Sequence, residues 1–166
     1  MKKEEFVKVL SVKPGEKCYV DEIENSFYYM KGFVGGDIEC CNLDDNMIII
    51  CNRDGKNLDL PLNRAIYDEQ GKMVDIIHGN FLVCYVAPGS EDISSIPEKY
   101  IDKYKDKFLL PEKFVIKDGV PNAIKYEPKD LIERLNEMPS IEDMSFEEDI
   151  FDLGLGDIEI EKGRGL

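Results

Sequence analysis

The sequence predicts an α+β protein: a mostly antiparallel sheet with one main helix packed on a face, followed by a helical and hairpin C-terminal extension. Three observations carry that expectation. Residues 6–86 alternate short apolar runs with Gly, Asn, Asp and Pro, the punctuation of strands and turns. Within them, Ile23, Phe27, Met30 and Val34 fall at helical spacing, one stripe that can lie on a sheet. Beyond Pro88-Gly89 the character changes, so residues 1–89 read as the core domain and residues 90–166 as an extension packed on it.

The elements follow in order. Phe6-Val7-Lys8-Val9-Leu10-Ser11-Val12 alternates at period two and predicts a first strand; Lys13-Pro14-Gly15-Glu16 turns into a short second strand at 18–20. Asp21 caps a helix near 22–34, with Glu24 as capping-box partner and Gly35-Gly36 ending it in the left-handed conformation that glycine accepts. A diglycine after a helix is not a phosphate loop, which follows a strand and opens a helix. Residues 38–43 and 47–51 bracket Asp44-Asp45-Asn46 as a hairpin, and Met47-Ile48-Ile49-Ile50-Cys51, apolar throughout, reads as a central strand. Leu62 to Tyr67 predicts a short helix, residues 73–77 and 81–86 two further strands. The order is compatible with a grasp-like sheet.

In the extension, Ser94 or Ser95 caps a helix over 97–108 that docks through Tyr100, Ile101, Tyr104 and Phe108. Residues 113–117 and 123–126 flank Asp118-Gly119 as a small hairpin, and Pro128 opens a helix to about Met138.

Composition narrows the class. The 166 residues carry a net charge of −14, and nowhere do 18 apolar residues run together, so no membrane span is expected. The N-terminus lacks an apolar signal-peptide core, and five cysteines, mostly in apolar runs, suit a reducing interior; the cytoplasm is the expected compartment. Residues 127–166 hold 13 acidic and 4 basic side chains, net −9, against 22 and 17, net −5, in residues 1–126. Phosphate neutralisation needs clustered Lys and Arg, which argues against direct nucleic-acid binding.

Four motifs stand in order: Gly35-Gly36-Asp37-Ile38-Glu39, Cys51-Asn52-Arg53-Asp54-Gly55-Lys56, Leu62-Asn63-Arg64-Ala65 and Ile76-Ile77-His78-Gly79-Asn80-Phe81. On them the chain resembles the family catalogued as domain of unknown function 3846, over roughly residues 7–108. The family is common in bacteriophages and conjugative elements, often among accessory and anti-defence genes, and has no established catalytic residues. The resemblance implies a genomic setting rather than a mechanism.

Candidate chemistry is sparse. His78 is the single histidine; catalysis would need a carboxylate or nucleophile partner, for which Asp75 and Cys84 are merely near in sequence, and a structural histidine at a strand break is the simpler account. Cys40 and Cys41 point to opposite faces of a strand and there is no Cys-x-x-Cys pair, so no metal site and no cofactor are expected. If Asn63 caps a short helix, the helix start and the Arg64 guanidinium together suit a phosphate or carboxylate, with Asn52 from the neighbouring loop able to share the task. Otherwise Arg64 forms an internal ion pair and Asn63 only caps.

The acidic segment from Ile141 to Glu161 interleaves carboxylates with Phe146, Ile150, Phe151, Leu153 and Leu155. A purely solubilising tail has no use for such side chains, so they either pack on the protein's own sheet or, Phe146, Ile150 and Phe151 foremost, anchor a partner. The expected function is a non-enzymatic accessory protein of a phage or mobile element that binds and blocks a host factor. The alternatives are a binder of a nucleotide-like small molecule through Asn63, Arg64 and Asn52, and a hydrolytic enzyme using His78.

Overall fold

The structure, a computed structural model, describes residues 3–129 and 131–137. Seven strands and one helix come first: β1 (Phe6–Val12), β2 (Tyr19–Glu24), α1 (Phe27–Val34), β3 (Ile38–Asn42), β4 (Met47–Asn52), β5 (Leu62–Tyr67), β6 (Met73–His78) and β7 (Phe81–Val86). Then come β8 (Ile93–Ser94), α2 (Glu98–Phe108), the hairpin β9 (Glu112–Lys117) and β10 (Val120–Lys125), and α3 (Leu131–Asn136).

The fold class differs from expectation. The chain is a β-rich antiparallel fold, not an α+β fold with one main helix: its helices span only 8, 11 and 6 residues. Two misread segments account for the difference. Residues 19–24 pair with β1 as a full strand, Val20 opposite Leu10 and Ile23 opposite Val7. The helix therefore starts late, capped by Ser26, whose Oγ accepts from the Tyr29 N–H, and not by Asp21. Leu62–Tyr67 is a strand paired with β6, not a helix. In both places cross-strand pairing overrode the local helical pattern.

The main sheet runs β2-β1-β7-β4-β3, every pairing antiparallel, and β8 adds to β7 beyond the point where β1 leaves it. The β4 strand is buried along nearly its whole length, in keeping with a central position beside β7. Period-two alternation sends Val7, Val9, Ile50, Leu82 and Cys84 to one face, where Met30 and Val34 of α1 cover them. Leu10, Val12, Met47, Ile49, Phe81 and Val83 point the other way, onto Ile77, Tyr104 and Phe108. The sheet is thus covered on both sides, by α1 on one and by α2 with the β5–β6 hairpin on the other. The segment from β8 through α2, expected to open an extension, contributes Ile96, Tyr104 and Phe108 to this core.

Turn chemistry fixes the register of the β3–β4 hairpin. Asp45 and Asn46 take φ of 59° and 63°, and Met47 N–H donates to the Asp44 carbonyl, the twist-matched two-residue turn. The Asp45 carboxylate accepts from Lys103 and from the Tyr104 hydroxyl, which ties the turn to α2 and holds its pKa below the ordinary carboxylate value.

Candidate functional site

The motif residues converge on the interior, where they hold loops together. Arg64 is fully buried on β5. Its Nε and Nη2 donate to the Phe108 carbonyl at the C-terminus of α2, Nη2 also to the Glu16 carbonyl, and Nη1 to Asn63 Oδ1 and the Lys13 carbonyl. A guanidinium on the last carbonyl of a helix also meets the negative end of the helix dipole. Asn63, equally buried, donates to the carbonyls of Val12 and Gly79. Arg64 and Asn63 therefore join the β1–β2 turn, the β6–β7 turn and the end of α2. Burial lowers the pKa of Arg64 and raises that of Glu112, because desolvation outweighs the attraction between the two; Glu112 Oε1 accepts from the Ala65 N–H.

The premise of the expected ligand site fails at this point. No helix begins at Asn63, so there is no row of free N–H groups, and the fork of Arg64 is spent on backbone carbonyls. Asn52 is also buried: its Nδ2 donates to the Val34 carbonyl at the end of α1, and its Oδ1 accepts from the Asp54 N–H. Asn80 donates to the neighbouring Phe33 carbonyl. Two asparagines thus satisfy carbonyls that the end of α1 leaves open. The glycines of these motifs serve the same contacts. A Cβ on Gly55 would sit 2.9 Å from the His78 carbonyl, and one on Gly36 3.0 Å from Asn52 Nδ2.

His78 closes β6 and donates from Nδ1 to the Leu60 carbonyl at 3.0 Å. The Asp75 carboxylate pairs with Lys56, and Cys84 is fully buried with its thiol pushed up by desolvation. Cys40 and Cys41 do lie on opposite faces of β3; Cys41 touches Cys51, whose thiol is pushed up to about 12, mainly by burial. Among the described residues no group of three His, Cys, Asp or Glu side chains could hold a metal. Phe146, Ile150 and Phe151 lie outside the described residues.

A site that the motifs touch only at Ile38 lies on the α1 face. The N-cap Ser26, Phe27 and Met30 of the helix, Ile38 and Cys40 of β3, and Ile48 of β4 line a groove of about 180 Å³. Phe27, expected in the stripe against the sheet, is instead 71% exposed, and its neighbour Tyr28 is 89% exposed. Lys3, Glu91 and Asp92 stand at the groove as its charged groups. Beside it runs the open edge of β3, the last strand in the sheet.

The ladder defines what that edge offers. Arg53 N–H donates to the Asp37 carbonyl and Leu43 N–H to the Met47 carbonyl, so the odd-numbered residues of β3 make the bonds to β4. By antiparallel alternation the N–H and C=O groups of Cys40 and Asn42 turn outward. The Ile38 carbonyl, the next in that row, accepts from the Arg53 guanidinium at 3.5 Å. The signal in the sequence was the pair Phe27-Tyr28, where the outward face of a helix carries two aromatics.

Fold and site together define a β-rich protein whose two-faced antiparallel sheet leaves one strand edge open next to an apolar groove. The chain belongs to the family described as Domain of unknown function (DUF3846), whose model matches residues 7–109. The span takes in every motif above and ends at the residue after α2. No curated protein and no solved structure matches the chain. No helix among the described residues is long and apolar enough to cross a membrane.

Proposed function

We propose that the protein is a binding module of a phage or mobile element that captures and blocks a host polypeptide, taking an extended segment of it onto β3. The observation that carries this is the open β3 edge with outward-facing backbone groups at Cys40 and Asn42, running beside a groove floored by Ile38, Cys40 and Ile48. An added strand gains affinity from main-chain hydrogen bonds and specificity from pockets that take alternate side chains. A groove of about 180 Å³ suits one or two apolar side chains. Small-molecule sites typically run to ~300–1,000 Å³. The larger hollow nearby, about 330 Å³, is lined by Glu4, Glu5 and Glu24 with Lys3, a poor setting for nucleotide phosphates. Glu91 and Asp92 at the groove and a net charge of −14 favour a partner segment in which apolar residues alternate with Lys or Arg.

Selection from a displayed library of random extended peptides tests this. Enrichment of alternating apolar and basic sequences is expected, and Cys40→Pro, which removes an outward donor, should weaken the selected peptide at least about tenfold, as loss of ~1.4 kcal/mol does. Binding that survives Cys40→Pro, or selection of no such sequences, overturns the proposal.

A further inference from the structure

The β9–β10 hairpin carries an apolar face that no other described residue covers. Register places Lys113 opposite Ile124, Val115 opposite Asn122 and Lys117 opposite Val120. All six side chains share one face by the period-two rule. On it Ile124, Val115 and Val120 form a diagonal stripe, exposed by 51%, 41% and 57%, with Lys113 and Lys117 at its sides. The base of the hairpin is closed by the Tyr126 N–H on the Pro111 carbonyl and anchored by Glu112 on the Ala65 N–H, while beyond it the face with Val115, Val120 and Ile124 is exposed. A two-stranded hairpin is marginal by itself, and one that exposes such a stripe calls for a cover.

We infer that residues 146–161 of the same chain cover this face, placing apolar side chains on the Ile124–Val115–Val120 stripe and carboxylates against Lys113 and Lys117. The complementarity is specific in pattern and in charge. From Phe151 the sequence Phe-Asp-Leu-Gly-Leu-Gly-Asp-Ile-Glu-Ile-Glu alternates apolar side chains at period two over most of its length, the spacing of an extended segment. Residues 141–161 contain nine Asp and Glu and no Lys or Arg, whereas the hairpin face carries two lysines and no acid. Proximity helps: twenty residues, 126–145, separate the hairpin from this segment, so closing the loop costs little entropy. A partner protein or a second copy would have to compete with a segment tethered at high effective concentration.

The full-length chain carries the test, with Val120→Asp and Ile124→Asp combined at positions exposed enough to leave the core intact. A glutamate-specific protease should cut after Glu147, Glu148 and Glu159 slowly in the parent, and about tenfold faster in the double variant, since cleavage tracks the population of the undocked state. Zero-length carbodiimide coupling should join Lys113 or Lys117 to a carboxylate of residues 147–161 within one chain. Equal cleavage rates in parent and variant overturn the inference. So do cross-links found between isotopically distinct chains, which would make the occupant a second copy.

Discussion

At the scale of single residues, the energetics centre on Arg64 and Glu112. Each is a charged group out of water, and each is tolerated because its polar atoms meet partners: carbonyls for the guanidinium, the Ala65 N–H for the carboxylate. Burial dominates for Glu112 and raises its pKa above the ordinary 4.5. The consequence for stability has a definite sign. Below about pH 4.5 both folded and unfolded states hold the proton, and nothing is lost. As pH rises through the raised folded value, the unfolded chain releases its proton first, and stability contributed by the neutral carboxyl disappears. Glu112→Gln keeps an oxygen for Ala65 but cannot ionise. Its stability relative to the parent should therefore climb as pH rises above about 4.5 and level off once the folded carboxyl has ionised, as read by urea unfolding at a series of pH values. A difference that stays flat or falls over that range would show that Glu112 remains ionised in the folded protein. None of this was legible in the sequence. Asn63-Arg64 was recognisable as a polar pair in an apolar setting, yet the same two residues serve a helix-end ligand cradle or a buried tie between loops. The choice depends on the Phe108 carbonyl, 44 residues away.

At the scale of elements, strands with strict alternation or continuous apolar runs were legible: β1 and β7 occupy the bounds that their patterns indicate, and the β3–β4 hairpin turns on Asp45-Asn46 as its residues require. Segments with mixed signals were not. Residues 19–24 combine Tyr and Val with Asp and Glu at positions that also suit a capping box, and pairing with β1 decided between them. Phe27 keeps the spacing of the Met30–Val34 stripe, but as the first residue of α1 it stands at the rim of the groove and stays exposed. The edge strand β3 yields its own test of fold. Proline is tolerated on an edge where its missing N–H faces outward, but not where a ladder bond is lost. Cys40→Pro should leave the melting temperature within a few degrees of the parent. Cys41→Pro removes the N–H that faces Ile49, leaves a buried carbonyl unpaired and should cost about 1–3 kcal/mol. Similar losses for both variants would mean that the bonding alternation along β3 is reversed.

At the scale of the whole molecule, the architecture separates what holds the protein together from what it presents. The four motifs meet at buried contacts that hold loops and helix ends together: Asn52 and Asn80 on the end of α1, Asn63 and Arg64 on the β1–β2 turn and the end of α2, Gly55 against His78. They are legible in the sequence because such contacts demand particular residue types in order. The exposed groove and the open edge leave a fainter trace, because a backbone edge accepts nearly any side chain and a shallow groove needs only moderate apolarity. The amides of β3 test the central claim most directly. Hydrogen exchange would be followed residue by residue, with and without a peptide selected for binding. The account predicts that Cys40 and Asn42, whose N–H groups face outward, exchange readily in the free protein and become protected on binding. Cys41, already bonded to β4, should change little. Protection that appears elsewhere on the surface while Cys40 and Asn42 stay unprotected would contradict it.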